Sequence, residues 1–219
     1  MDKLLSLRLH YFPFPGRAGA IRDALQIGRI AFEDVHVTFE KFQEQKAAGD
    51  FPFGAVPVLD VETATTKHRV AQSNAILRFA GRLAGLYPDE DAMLALKVDE
   101  VLDVGEDIQA LLGPSLHEQD IEKKMAMRKI LAEEDLPRWI GCIEQLLIAN
   151  GSTGFLVGDS LTVADLKLYW VCDFLSNGSL DGIPTTLFDD FPNVLAWFKN
   201  ISRVREKRLA PTVPGIHRP

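Results

Sequence analysis

The sequence predicts an α/β domain followed by an all-helical one. Three observations carry this. Period-two alternation of apolar residues is confined to the stretch before Ser73, helical apolar spacing runs almost unbroken after it, and a polar, proline-bearing segment from Leu86 to Asp91 stands between the two regimes. With 219 residues the chain suits two small domains better than one core. The predicted division is 1–84 for the α/β domain, 85–91 for the linker and 92–219 for the helical domain.

Leu5, Leu7, Leu9 and Tyr11 alternate with Ser6, Arg8 and His10, the pattern of a strand with one buried face, which Pro13 and Pro15 end. Ala18, Ile21, Leu25 and Gly28 then repeat at helical spacing, and Val35, Val37 and Phe39 return to alternation. A strand, helix, strand unit of this length favours parallel pairing with a right-handed crossover. Phe42 to Ala48 is a short helix candidate. Val56 to Val61 reads as a strand with His68 to Ala71 as its hairpin partner. Proline in an apolar strand cannot donate to a ladder, so Val56–Pro57 is a candidate cis bond. Ser73, Ile76, Phe79, Ala80 and Leu83 form a further amphipathic helix closed by Gly85. Beyond the linker, helices are predicted over Met93 to Leu112, Ile121 to Ile148, Thr162 to Leu175 and Pro192 to Val204.

A net charge of −7 repels phosphate backbones and anionic lipid, so neither nucleic acid nor a membrane surface is an expected partner. The N-terminus carries no export signal and no apolar run reaches spanning length. Cys142 and Cys172 form no metal or redox motif, which fits a reducing compartment, and cytoplasm is the expectation. Both lie among apolar residues and are expected to be buried packing. The Asn-Gly-Ser sequons at Asn150 and Asn177 are then without consequence.

Several segments, met in order along nearly the whole chain, resemble cytosolic glutathione transferases. His10-Tyr11-Phe12 with Gly16-Arg17-Ala18 and Ile21-Arg22 resembles the sigma class, although Gly19 stands where that class has an acid. Phe53-Gly54-Ala55-Val56-Pro57-Val58-Leu59, Gln72-Ser73-Asn74-Ala75-Ile76 and Gly158-Asp159-Ser160-Leu161-Thr162-Val163-Ala164-Asp165 resemble further family segments. The resemblance implies a thioredoxin-like domain fused to a helical bundle that contributes the second-substrate site. It also implies glutathione as co-substrate, a homodimer, and thiolate activation by tyrosine.

Glutathione offers a thiol, two carboxylates and an ammonium group, and the sequence holds a candidate for each. Tyr11, at the end of the first strand, is placed to donate its hydroxyl hydrogen to the sulfur anion, with Arg17 as electrostatic support. A strand tyrosine or a surface ion pair would explain the same residues without catalysis. Ser73, opening a helix, suits the γ-glutamyl carboxylate, with Gln72 beside it; the same position is also an ordinary N-cap. By resemblance, Val56 before Pro57 meets the cysteinyl main chain, and Phe42 and Lys46 meet the glycine carboxylate. Phe12 and Phe14 face the hydrophobic second substrate, with Gln109, Pro114, Lys167 and Val171 opposite.

Asp99, Asp103, Glu106 and Asp107 share one side of a helix, which without context is a solvated face. The resemblance assigns Asp107 to the ammonium group of glutathione bound to the other subunit. No metal is required, although some members place a divalent cation at the positions of Asp103, Glu106 and Asp107. Thr162 to Asp165 is a capping box, flanked by Leu161 and Leu166, whose role is folding. Cysteine is missing between Tyr11 and Gly16, which excludes a cysteine-nucleophile mechanism there. Three readings remain open: conjugation of glutathione to a hydrophobic electrophile, glutathione-dependent isomerisation of a prostaglandin-type lipid, and a non-catalytic binding or structural protein.

Overall fold

The computed structural model describes residues 3–210. Its first half is a four-stranded mixed sheet with helices, and its second half is helical throughout. Strand β1 (Leu4–Tyr11) lies inside the sheet, whose order is β2-β1-β3-β4. It pairs in parallel with β2 (Glu33–His36), Tyr11 opposite His36, and antiparallel with β3 (Val58–Thr63), His10 opposite Val58. The hairpin closes with β4 (Lys67–Ala71), Ala71 opposite Val58. The crossover from β1 to β2 is a single 3-10 turn, Gly16–Ala18, running into α1 (Gly19–Ile27).

Two strand expectations need correction. Leu5 is 56% exposed, not buried, because the register with β3 shifts between Leu4 and Ser6 and the irregularity breaks the alternation at Leu5. Phe39 does not continue the alternation of Val35 and Val37. Thr38 accepts the Lys41 N–H at 3.3 Å and starts α2 (Phe39–Ala47), so a local cap overrides the period-two pattern. The Val56–Pro57 bond is cis, as the sequence implies.

Helix α3 (Ser73–Ala84) packs against α1 and ends at Gly85, which takes the left-handed conformation (φ 66°) that closes a helix. After the connection, Asp91 caps α4 (Ala92–His117) by accepting the Met93 and Leu94 N–H groups at 3.0 Å. The predicted helix from Ile121 to Ile148 is divided into α5 (Ile121–Ile130), a π turn (Leu131–Asp135) and α6 (Leu136–Ala149). Pro137 has no N–H to give the preceding turn, and the helix widens ahead of it. Helix α7 (Val163–Ser176) begins with the expected capping box and runs through the middle of the helical half, and α8 (Pro192–Leu209) packs across both α1 and α7. One core of buried side chains runs from Leu7 and Leu9 through Ile21 and Ile76 to Val101, Leu168 and Trp197.

The halves are also joined by polar contacts. Asp23 on α1 receives Arg205 of α8 at 3.0 Å and the Trp170 indole N–H of α7 at 2.7 Å. The Arg205 guanidinium lies over the Tyr169 and Trp170 rings, 4.3 and 4.5 Å from their centroids. Gly19, where the resembled class has an acid, is explained here: a Cβ on it would stand 2.8 Å from the Trp170 ring.

Candidate active site

Tyr11 ends β1 next to the turn that carries Gly16 and Arg17, and it is 5% exposed. Its hydroxyl oxygen accepts the Arg17 backbone N–H at 3.0 Å. That leaves the hydroxyl hydrogen free for another acceptor. A Cβ on Gly16 would approach this oxygen to 2.5 Å, and φ there is +39°, so glycine both makes the turn and leaves the hydroxyl clear. Burial raises the phenol above its ordinary pKa, against the opposing pull of the Arg17 N–H and the charges of Arg17 and Arg22. The group is therefore a neutral donor near pH 7. Arg22 braces the loop that follows. It donates to the carbonyls of Phe12 and Phe14 at 2.9 and 2.8 Å while paired with Asp34.

The Arg17 guanidinium is bound by Glu106 from α4. Glu106 also accepts Lys167 Nζ at 2.6 Å and the Ser73 hydroxyl at 3.2 Å. Burial disfavours its charged form, but Lys167 and Arg17 more than offset this and bring the carboxyl down to about 2. Asp99 pairs with Arg78 and takes the Tyr87 hydroxyl, Asp103 lies 3.8 Å from Arg78, and Asp107 is exposed. The four acids therefore do not form one solvated face, and among the described residues no group of three or more His, Cys, Asp or Glu is arranged to hold a metal ion.

Ser73 is the first residue of α3, not its N-cap. Gln72 takes that position with φ +78° and no side-chain cap, so the first N–H groups of α3 are left for another acceptor. A non-glycine residue held in this region costs about 1–3 kcal/mol, which is why strained positions cluster at functional sites. Val56 lies just ahead of the ladder, which starts at Val58. Lys46 Nζ sits 5.7 Å from the Phe42 ring centroid, and its stem would be 3.5 Å from a Cβ on Gly54. These two residues thus come together beside the segment leading to Val56.

Phe12 and Phe14 stack at 5.4 Å and meet the Tyr11 ring edge-on at 5.3 and 5.8 Å. Phe39 adds to them, 4.6 Å from Phe12, a neighbour that the period-two pattern concealed. Of the residues expected opposite, Gln109 accepts Lys167 Nζ at 3.1 Å and Pro114 is exposed near the end of α4. Lys167 is 5% exposed and Val171 2%, so neither presents a free surface here: one is held by Glu106 and the other is packed in the core. Cys172 is buried, and burial pushes its thiol up to about 12, whereas Cys142 is exposed, contrary to expectation, because it lines an open cavity between α4 and α6.

Comparison with known proteins identifies the two halves. Residues 7–82 match the glutathione S-transferase N-terminal domain family, and residues 106–206 match the glutathione S-transferase C-terminal domain family. The chain is 31% identical to the probable glutathione S-transferase 5 of Caenorhabditis elegans, over 96% of this chain and 98% of that one. Among solved structures it resembles prostaglandin synthase D of Nilaparvata lugens (TM-score 0.79, 25% identity, 96% of this chain and 100% of that one). It also resembles a sigma class glutathione transferase of Fasciola hepatica (0.77, 25%, 96% and 99%). A third likeness is to the monomeric glutathione S-transferase Na-GST-3 of Necator americanus (0.73, 26%, 96% and 100%). The two family matches, which between them span most of the chain, and the full-length relative in C. elegans lead to one conclusion: this chain belongs to the glutathione S-transferase family and is a glutathione transferase enzyme.

Proposed function

We propose that the enzyme activates glutathione through Tyr11, whose hydroxyl hydrogen stabilises the thiolate for attack on a hydrophobic electrophile. The observation that carries this is the 3.0 Å bond from the Arg17 N–H to the hydroxyl oxygen, which polarises the phenol and leaves its hydrogen to give. A free thiol of pKa about 8.5 is only a few per cent ionised at pH 7, and each unit of depression is worth about 1.4 kcal/mol. Arg17 supplies positive charge nearby. Ser73, Gln72 and the uncapped start of α3 receive the γ-glutamyl carboxylate, Val56 pairs with the cysteinyl main chain ahead of Pro57, and Phe42 with Lys46 takes the glycine end. Phe12 and Phe14, with Phe39, form the apolar wall for the electrophile. Gln109 and Pro114 approach from α4, and Lys167 and Val171 back that side from α7. No metal is needed for these steps. The test is retention on immobilised glutathione followed by conjugation to a broad aryl halide electrophile; a Tyr11→Phe protein as active as the parent would remove the proposed role.

Likeness to the prostaglandin synthase of N. lugens supports a second reading, glutathione-dependent isomerisation of a prostaglandin-type lipid at the same site. We place the domain boundary at 85–91 and the protein in the cytoplasm, where two unpaired cysteines persist. None of the described helices is long and apolar enough to cross a membrane.

A homodimer is also proposed. Phe53 is 71% exposed, and an apolar cavity of about 150 Å³ opens between α4 and α6, lined by Val101, Val104, Trp139 and Ile143. A second copy of the chain would cover both features in one isologous contact. Asp107, exposed on α4, then reaches the ammonium group of glutathione held by the other subunit. Sedimentation should give twice the chain mass at micromolar concentration, and Asp107→Asn should weaken glutathione about tenfold, the effect of losing a charge-assisted bond. A monomer, like Na-GST-3, would exclude that contact.

A further inference from the structure

Lys167 crosses α4 where that helix carries glycine. A Cβ on Gly105 would stand 2.7 Å from Lys167 Cε and 2.9 Å from Cγ, so the lysine stem fills the space a side chain would occupy. Glycine inside a helix costs about 1 kcal/mol relative to alanine, and α4 is weakened here for this passage. At its end Nζ meets Glu106 at 2.6 Å and Gln109 at 3.1 Å, and the side chain is almost fully buried. Such burial is tolerated for an ammonium only when it is paired.

Glu106 is the hub. It binds Arg17 and Lys167 and takes the Ser73 hydroxyl at 3.2 Å. If Ser73 receives the γ-glutamyl carboxylate, as proposed above, its hydroxyl must leave Glu106 for the ligand, and two carboxylates then share one small region. Arg17, Glu106 and Lys167 together carry a charge of +1; without Lys167 the sum is zero, and Arg17 alone faces both carboxylates.

We propose that Lys167 is a positioning residue for the γ-glutamyl end of glutathione: acting from α7 through Glu106, it neutralises that carboxylate so that Ser73 can exchange it for the ligand's. This rests on the reading of Ser73 as the carboxylate site. The role is exercised at the γ-glutamyl carboxylate, so it is read first in glutathione binding.

Glutathione binding by calorimetry and steady-state kinetics, on the full-length enzyme, test it with three variants. Lys167→Met should raise both Kd and KM for glutathione about tenfold, the scale of one charge acting through solvent screening. At saturating glutathione the fall in kcat should be much smaller than the rise in KM for glutathione, a split that a general loss of folding would not give. Lys167→Met with Glu106→Gln restores the sum of +1 and should recover most of the affinity. It leaves no buried unpaired charge, so it also serves if the single variant folds poorly. Unchanged affinity in Lys167→Met, or a double variant that binds no better than the single, would overturn the inference. Ser73→Ala separates the two ideas. Normal glutathione binding by Ser73→Ala removes the carboxylate site itself, whereas weak binding there with normal binding by Lys167→Met removes only the role of Lys167.

Discussion

Tyr11 is 5% exposed, and glycine at position 16 leaves the space beside its hydroxyl unfilled. In Tyr11→Phe the ring, its aromatic neighbours and the fold should persist. A hydrogen bond to a charged group contributes about 2–3 kcal/mol, so conjugation near neutral pH should fall by roughly one to two orders of magnitude. The deficit should narrow as pH rises, because deprotonation by solvent then supplies the thiolate that the variant no longer stabilises. Thiolate absorbance, titrated in both proteins with glutathione bound, reads the shift directly. Equal thiol pKa values would assign activation to Arg17 or to a main-chain donor. At this scale short motifs single out Tyr11, Arg17 and Ser73, and the structure brings Arg17 to Tyr11 and both Arg17 and Ser73 to Glu106. Glu106 was visible only as one of four acids. Which of them turns inward depends on Lys167 and Arg17, 61 and 89 residues away, and helical spacing carries no such information.

Caps decide several element boundaries. Thr38 turns Phe39 from a strand residue into the first of α2, which brings its ring to Phe12. Asp165 does more than close the box predicted for it. Its carboxylate accepts the Thr162 and Leu156 N–H groups at 2.9 and 2.8 Å and the Trp197 indole at 2.9 Å, so it joins the start of α7 to the preceding loop and to α8. Asp165→Ala would leave these buried donors without their acceptor and should destabilise the protein by about 3 kcal/mol or more, measured by denaturant unfolding. A loss under 1 kcal/mol would reduce it to an ordinary helix cap. The capping-box spacing was readable from sequence, while the Leu156 and Trp197 contacts were not.

Across the whole molecule, the Asp23, Arg205 and Trp170 cluster ties α1 to α7 and α8. Asp23→Ala strands a buried guanidinium, and breaking one side of such a pair costs about 3–5 kcal/mol. The loss should appear as a lower denaturant midpoint, and domain separation should appear as a second transition. A variant that unfolds at the parent's midpoint would show that apolar packing alone joins the halves. Asp23 and Trp170 line the same cavity as Phe14, so a looser junction should also raise KM for the electrophile more than for glutathione.

From the sequence alone came the order of elements, the division into a sheet-bearing and a helical half and the cis bond before Pro57. These follow from local periodicity, backbone chemistry and short motifs, all of which act over a few residues. The folded chain alone shows that Leu5 faces out, that a side chain at Gly19 would meet Trp170, that Glu106 meets Ser73, and that Lys167 reaches Glu106 over Gly105. Each of these depends on side chains brought together from distant parts of the chain. Burial and charge pairing settle such contacts through the whole fold, and no local pattern encodes them.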